Sequence, residues 1–184
     1  MASGEAHTII LTKENKIFGW GMSNYGQLGL GFSSDSFEPG MGMERSKVHE
    51  PSEITHLKNE PIKKIICGAT FTLFHTDKGE LFGCGMNDLG QLGLDTFMDD
   101  IRSLEGAKPG RHHTTDVTVP TRVICLNGIP LQSIACGENH ALAISGDNGD
   151  NKNMVWAWGM YKNGQLGLGE VTMKMNPRPV QNLS

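Results

Sequence analysis

Residues 19–31 read Gly-Trp-Gly-Met-Ser-Asn-Tyr-Gly-Gln-Leu-Gly-Leu-Gly, and this stretch recurs twice with few changes. The second copy, at residues 83–95, is Gly-Cys-Gly-Met-Asn-Asp-Leu-Gly-Gln-Leu-Gly-Leu-Asp. The third, at residues 157–169, is Ala-Trp-Gly-Met-Tyr-Lys-Asn-Gly-Gln-Leu-Gly-Leu-Gly. Such self-similarity is typical of repeat architectures, in which each repeat is one unit of supersecondary structure.

Two weaker elements accompany each copy. A short element precedes it at residues 3–7, 67–71 and 136–140, which we call the Cys-Gly element, although the first copy has Ser3 in place of the cysteine. A proline-containing element follows it, at Pro51, Pro120 and Pro177. Between these marks lie short runs with the composition of β-strands, at residues 62–66, 71–74, 80–83, 118–124, 131–134 and 155–158. Because no sustained helical period is present, the pattern predicts an all-β fold. We expect a partial β-propeller of about three four-stranded antiparallel blades in one repeat domain, with approximate repeats at 1–57, 58–126 and 127–184.

The repeated spacing within the motif has a mechanical interpretation. Gly26 and Gly29 can take a positive φ without a Cβ clash and turn the chain at a strand end. Leu28 and Leu30, with Trp20, are expected to point into the seam between blades. The Gln27 amide is placed to satisfy backbone groups of the turn. The same roles fall to the corresponding residues of the other copies, namely Gln91, Leu92, Leu94, Gln165, Leu166 and Leu168.

Position 84 is the exception, because Cys84 replaces the tryptophan of the other copies. The seam there is expected to be less filled, or filled by Phe82. His7 and His140 share one repeat position, at which the middle copy has Phe71. Since phenylalanine can replace them, the two histidines are interpreted as structural and not catalytic.

The Trp-Gly-x-Asn-x-x-Gly-Gln-Leu-Gly signature, together with Cys-Gly-x-x-His, resembles the repeat of the regulator of chromosome condensation family. Asn87 keeps the asparagine of the signature, whereas Ser23 and Tyr161 replace it. The resemblance covers essentially the whole chain and implies a propeller, usually of seven blades. Members of the family include an exchange factor for the small GTPase Ran, domains of giant ubiquitin ligases, and ciliary and kinase-associated scaffolds.

Composition excludes several classes of function. The 24 glycines among 184 residues require many turns, and 16 basic against 20 acidic residues leave a net charge of −4. Direct binding of nucleic acid is therefore not expected. The four cysteines form no Cys-x-x-Cys pair and are interpreted as reduced thiols. No signal peptide or membrane span is predicted, so a cytoplasmic or nuclear location is expected. No Walker or dinucleotide loop, cofactor site or metal site is predicted, and the chain is not expected to be an enzyme.

Two long connections are the candidate binding sites. Residues 31–50 and 95–119 are longer than the corresponding stretch of the third copy, and each holds two more acids than bases. Long loops in compact domains are more often functional than other connections. His112 and His113, with Asp116 nearby in sequence, are not read as a metal site because ligands are usually spaced apart. The candidate partner-binding residues are Phe37, Met41, Met43, Glu44, Arg45, Asp99, Asp100, Arg102, Arg111, His112 and His113.

Three functions are compatible with these observations. A non-catalytic protein-interaction scaffold requires nothing beyond the loops. Exchange or regulation of a small GTPase is the first alternative, and recruitment of substrates for a larger ubiquitin ligase is the second. Three repeats are few for a ring, and both termini lack strands that a further copy would have. We therefore expect the propeller to be completed by further sequence or by self-association.

Overall fold

The computed structural model describes residues 1–38, 40–94, 116–146, 153–169, 174–181 and 183. These residues form three four-stranded antiparallel sheets, which confirms the predicted fold class. Blade 1 contains β1 (Ala2–Ser3), β2 (His7–Leu11), β3 (Ile17–Met22) and β4 (Lys47–Glu53). Blade 2 contains β5 (Ile62–Cys67), β6 (Phe71–Thr76), β7 (Leu81–Gly85) and β8 (Val117–Arg122). Blade 3 contains β9 (Leu131–Cys136), β10 (His140–Ser145), β11 (Val155–Gly159) and β12 (Lys174–Pro179).

In every blade the strands pair in chain order, so each strand is a hydrogen-bonded neighbour of the next. The equivalent positions follow from the register: His7 lies opposite Gly21, Phe71 opposite Gly85, and His140 opposite Gly159. Short helical turns, Thr55–Leu57 and Ile124–Leu126, carry the chain from one blade to the next. Each blade lies within one of the three predicted repeats, whose boundaries at residues 57 and 126 stay a prediction.

The core lies in the seams between blades, because a single sheet cannot bury both of its faces. Leu28, Phe74 and Cys84 belong to the cluster between blades 1 and 2. Leu73, Leu92 and Trp158 belong to the cluster between blades 2 and 3.

The seam prediction is confirmed for Leu28, Leu92 and Leu94, which belong to these clusters and are at most 3% exposed. Leu30 packs against the first cluster. Leu166 is buried and Trp20 is half-buried, but neither belongs to a seam cluster, so the seam prediction is not confirmed for these two.

The glycine motif turns the chain as expected. Gly26 and Gly29 have φ values of 80° and 68°, which residues other than glycine rarely adopt. The Gln27 Oε1 atom accepts a hydrogen bond of 2.9 Å from the Tyr25 amide. Gln91 and Gln165 repeat this bond at the same length with the amides of Leu89 and Asn163. The glutamine therefore closes its own turn in all three copies.

The seam at position 84 is filled, in contrast to the first of the two expectations. Cys84 is fully buried, and its Sγ atom lies 3.5 Å from the Gln27 carbonyl oxygen. The side chains of Phe74 and Phe82 pack in the same cluster, which supplies the volume that an indole occupies elsewhere. In the middle copy, two phenylalanine side chains therefore fill the space that one tryptophan fills elsewhere.

Candidate functional site

The connections of the three blades divide between two sides. In a four-stranded antiparallel sheet, the turn between strands one and two lies at the same end of the sheet as the connection between strands three and four. Hence the Cys-Gly turns (residues 4–6, 68–70 and 137–139) and the connections that follow β3, β7 and β11 all lie on one side. We call this side the loop face. Both connections that the sequence singles out leave the sheets there.

The first of these connections is ordered and partly helical. It contains a 3-10 turn at Ser34–Ser36 and a short helix, α1, at Gly42–Arg45. It differs from the predicted loop 31–50 at its end, where β4 already begins at Lys47. Strand pairing begins this early because Lys47 pairs with Met22, the last residue of β3.

Asn24 anchors this connection to blade 1. Its carbonyl oxygen accepts hydrogen bonds from the Ser34 amide at 2.9 Å and from Ser34 Oγ at 3.0 Å. Its side-chain Oδ1 atom accepts a hydrogen bond of 2.5 Å from Ser46 Oγ. Gly42 lies so close to Ser34 that a Cβ atom would be 2.1 Å from the Ser34 carbonyl oxygen. The two ends of the connection are therefore held together before it projects from the loop face.

The predicted residues of this connection have two different environments. Met41 and Met43 are 52% and 63% exposed, and Glu44 and Arg45 are also exposed. Phe37 is half-buried, with its ring 5.9 Å from that of Phe32 in an edge-to-face arrangement. We therefore assign Phe37 to the packing of the connection and the other four to its outer surface.

The Glu44 carboxylate lies 2.6 Å from the Lys47 ammonium. This hydrogen bond and the positive charge of Lys47 lower the pKa of Glu44. Because both groups lie near the surface, the pair contributes little to the stability of the fold and mainly sets the local distribution of charge. The outer surface thus offers two apolar side chains beside a carboxylate and a guanidinium.

The second connection contributes less to the site as described. The six predicted residues Asp99, Asp100, Arg102, Arg111, His112 and His113 lie outside the described residues. Asp116, which the sequence places near the two histidines, is described and is 7% exposed. Within the described ranges, no group of three or more His, Cys, Asp or Glu side chains is arranged to hold a metal ion. Nor is any helix in those ranges long and apolar enough to cross a membrane.

Between the blades the loop face contains an open cleft that the sequence alone did not reveal. Its volume is about 490 Å³, and it is lined by the three successive tripeptides 3–5, 67–69 and 136–138. Backbone hydrogen bonds of 3.0 Å join them, from the Glu5 amide to the Ala69 carbonyl and from the Ala69 amide to the Glu138 carbonyl. The recurrence of the Cys-Gly element was the available signal, but the cleft requires three assembled blades.

The thiols in this cleft are poor nucleophiles. Burial raises the pKa of Cys67 to about 11, and it also raises the pKa of Cys136. Thiolates carry cysteine reactivity, so both side chains stay protonated at neutral pH. The cleft is therefore suited to contact and not to covalent chemistry.

His7 has the structural environment that its interchange with phenylalanine predicts. It is 2% exposed, and its Nε2 atom lies 2.9 Å from Thr72 Oγ1. The Thr72 hydroxyl donates its single proton to the Gln27 carbonyl oxygen at 2.8 Å. It must therefore accept the proton of His7 Nε2, which leaves Nδ1 unprotonated. Burial lowers the pKa of His7 to about 4, so the ring is neutral near pH 7.

The family model described as "Regulator of chromosome condensation (RCC1) repeat" matches residues 14–74 and 78–144. The human protein named "Probable E3 ubiquitin-protein ligase HERC3" is 31% identical over 181 residues, which are 98% of this chain and 14% of HERC3. The ultraviolet-B receptor UVR8 of Arabidopsis thaliana is 29% identical over 184 residues, which are 100% of this chain and 34% of UVR8.

Among solved structures, Prp20p from Saccharomyces cerevisiae superposes with a TM-score of 0.76 at 28% identity. The match covers 98% of this chain and 37% of Prp20p. The chain thus spans between about a seventh and a little over a third of the length of these relatives. Since the family model matches well over half of the chain and the blades superpose on Prp20p, the chain belongs to the RCC1 repeat family.

Proposed function

We propose that the chain is a non-catalytic protein-interaction module that binds its partner through the loop face. The observation that carries this proposal is the ordered connection after β3, which exposes Met41 and Met43 at 52% and 63%. Exposed apolar side chains on an anchored loop are a feature of binding surfaces, and methionine adapts to varied partners. The charged neighbours Glu44 and Arg45 supply the polar rim that interfaces require.

A pair of substitutions with a matched control tests this proposal. The double variant Met41→Ser with Met43→Ser removes the apolar contact without touching the Asn24 anchor. Ile124→Ser is the control, because Ile124 is 68% exposed but follows β8 on the opposite side. We expect a protein captured from cell extract by the wild type and by Ile124→Ser to be lost with the double variant. Capture of the same proteins by all three would contradict the loop-face proposal.

Regulation of a small GTPase is the second candidate. The likeness to Prp20p favours it, since the work that reports that structure also describes binding to Gsp1p and histones. Release of a fluorescent guanine nucleotide from a panel of small GTPases that includes Ran is the test. Acceleration for one of them, lost with the Met41 and Met43 double variant, would place this activity on the loop face. No acceleration for any member would leave the interaction module alone.

Recruitment of substrates within a larger ubiquitin ligase is the third candidate, and it rests on the similarity to HERC3. Because the match spans 14% of HERC3, the ligase activity in that name belongs to the whole protein. Ubiquitination of the captured protein by the full polypeptide, reduced by the Met41 and Met43 double variant, would support this role. Unchanged ubiquitination would exclude the loop face as the recruiting surface.

A further inference from the structure

The methionines of the chain divide into an exposed pair and a packed set. Met41 and Met43 are 52% and 63% exposed. Apart from Met1, the other methionines whose side chains are described are half-buried, namely Met22, Met86, Met154 and Met160. One packed thioether also has a hydrogen-bond partner, since Met86 Sδ accepts from Thr70 Oγ1 at 3.4 Å. The two methionines most open to solvent in the described blades and their connections therefore lie side by side on the connection after β3.

The thioethers of this pair can change chemically without loosening the connection. The hydrogen bonds that anchor the connection use Asn24, Ser34 and Ser46. Ser46 Oγ also donates to the Met43 carbonyl at 3.2 Å, but that oxygen belongs to the backbone. A Cβ atom on Gly40, next to Met41, would meet no atom within 4 Å, so small molecules reach this part of the connection. A reaction at either sulfur alters the outer surface and leaves the anchor in place.

Three thiols that could compete for an oxidant are held in an unreactive form. Burial raises the pKa of Cys67 to about 11, and it also raises the pKa of Cys84 and of Cys136. Peroxides oxidise the thiolate form of cysteine, whereas these three side chains are protonated at neutral pH. A thioether has no proton to lose before it reacts, so its exposure governs its oxidation. The exposed methionines are therefore better targets for a peroxide than the buried thiols.

We propose that Met41 and Met43 form an oxidation site through which a hydroperoxide releases the partner bound at the loop face. This inference rests on the proposed function, because it concerns the same two side chains. With hydrogen peroxide, a sulfur lone pair attacks one oxygen, so that an S–O bond forms and the O–O bond breaks. The proton of the transferred hydroxyl passes to the departing hydroxide, which leaves as water. The thioether is oxidised to a sulfoxide and the peroxide is reduced.

The sulfoxide changes what this surface can bind. A thioether is apolar and flexible, whereas a sulfoxide is polar and has an oxygen that accepts hydrogen bonds. An interface that buries the thioether has no donor for this oxygen, so the acceptor stays unpaired when it is buried. Each oxidised methionine is expected to weaken binding about tenfold.

The modification is reversible. Methionine sulfoxide reductases return the thioether with a dithiol as the reductant. The sulfoxide oxygen leaves as water, and the dithiol becomes a disulfide. Partner binding at the loop face is therefore expected to follow the balance between peroxide and dithiol.

Peptide mass spectrometry after treatment with hydrogen peroxide tests the site without a partner. Cleavage after lysine and arginine yields residues 17–45 as one peptide, which contains Met22, Met41 and Met43. Its fragment ions compare the two exposed methionines with a half-buried one in the same sample. We expect sulfoxide to form severalfold faster at Met41 and Met43 than at Met22, and before the buried thiols are lost. Equal rates at the three methionines, or earlier loss of the thiols, would overturn the proposal.

Capture before and after peroxide tests the release of the partner. The probe is the protein that the wild type and Ile124→Ser both capture in the test of the proposed function, used in purified form. Catalase removes the peroxide first, so only this chain carries sulfoxide. We expect the oxidised wild type to bind the probe about 100-fold more weakly if both methionines react. Methionine sulfoxide reductase with dithiothreitol should restore the binding.

Two variants show which sulfur atoms are responsible. Met41→Leu with Met43→Leu cannot form the sulfoxides, so its capture after peroxide should equal its own capture before treatment. Met22→Leu is the matched control, because it keeps both exposed thioethers and should stay sensitive to peroxide. If the double variant does not bind before treatment, Met41→Leu and Met43→Leu are used singly. Each should then lose binding about tenfold after oxidation and not 100-fold.

The outcomes separate this inference from the proposed function. Unchanged capture by the oxidised wild type, equal loss in the Met41→Leu with Met43→Leu variant, or insensitivity of Met22→Leu would overturn the oxidation site. Loss of the β-sheet signal in the circular dichroism of the oxidised wild type would do the same, because release would then result from unfolding. If Met41→Ser with Met43→Ser abolishes capture while oxidation does not, the proposed function stands and the inference is wrong. If that serine variant still captures the probe, both are wrong.

Discussion

Replacement of His7 by phenylalanine should remove a defined part of the pH dependence of folding. The imidazole is 2% exposed, and burial lowers its pKa to about 4 from the ordinary value of 6.5. The unfolded chain therefore takes up a proton at this residue at a higher pH than the folded chain. The free energy of unfolding is unaffected by this group well above pH 6.5 and falls as the pH decreases from 6.5 to 4.

The size of the effect follows from the two pKa values. A separation of about 2.5 pH units corresponds to roughly 3 kcal/mol once both states are protonated, and about 2 kcal/mol of this appears between pH 7 and pH 4.5. Phenylalanine is the suitable replacement because Phe71 occupies the equivalent position of blade 2, against a similar glycine. Thr72 keeps its bond to the Gln27 carbonyl in this variant.

Urea denaturation of the wild type and His7→Phe at pH 7 and pH 4.5 measures the difference. Burial also lowers the pKa of His75 and His140, so the wild type loses stability from several groups, and the comparison isolates His7. We expect His7→Phe to lose about 2 kcal/mol less than the wild type over this interval. Equal losses would refute the reasoning. Long-range nitrogen–proton NMR spectra should show the Nε2-protonated tautomer of His7.

Three further perturbations follow from the seams and the anchored loop. Trp158→Phe leaves the buried Gln91 carbonyl without its indole donor and should cost about 1–3 kcal/mol of unfolding free energy. Trp156→Phe should cost less, because the buried Trp156 Nε1 has no hydrogen-bond partner among the residues that the structure describes. A denaturation series in which the two variants are equally destabilised would contradict this. The double variant Phe74→Ala with Cys84→Trp reproduces the second seam, where Ala143 and Trp158 have the equivalent positions. Its free energy of unfolding should be about 1–3 kcal/mol higher than the sum of the two single effects predicts. A strictly additive double-mutant cycle would count against this exchange of volume. Gly42→Ala puts a methyl group against the Ser34 carbonyl and should increase proteolysis within residues 31–46. Digestion of Ser52→Ala, which changes a half-buried side chain of β4 outside this connection, should match the wild type. Unchanged digestion of Gly42→Ala would show that the connection tolerates the contact.

The parts of the structure that depend on local sequence were predictable. Gln27 bonds to a backbone amide two residues away, and a motif that recurs intact in three copies carries its own turn geometry. The alternation of apolar residues in runs such as 71–74 likewise indicated strands without knowledge of their partners. Because these interactions lie within one repeat, each copy predicts them independently.

The contacts that escaped prediction join distant residues. His7 and Thr72 are 65 residues apart, and neither one has a pattern that names the other. Asn24 and Ser46 anchor the connection after β3 across 22 residues, and the packing of Phe37, a candidate partner-binding residue, on Phe32 follows only from this folded connection. The cleft lined by residues 3–5, 67–69 and 136–138 exists only after three blades have assembled.

The unlike chemistry of the two seams has a consequence for how the blades are arranged along the polypeptide. The first seam pairs His7 with Thr72, whereas the second pairs Phe71 with Ala141 at the same positions. A chain in which the second and third repeats were exchanged would bring His7 against Ala141 and bury its Nε2 proton without an acceptor, at a cost of about 1–3 kcal/mol. Repeats that look interchangeable in an alignment therefore each fit one particular neighbour. A chain with exchanged repeats should have a lower free energy of unfolding.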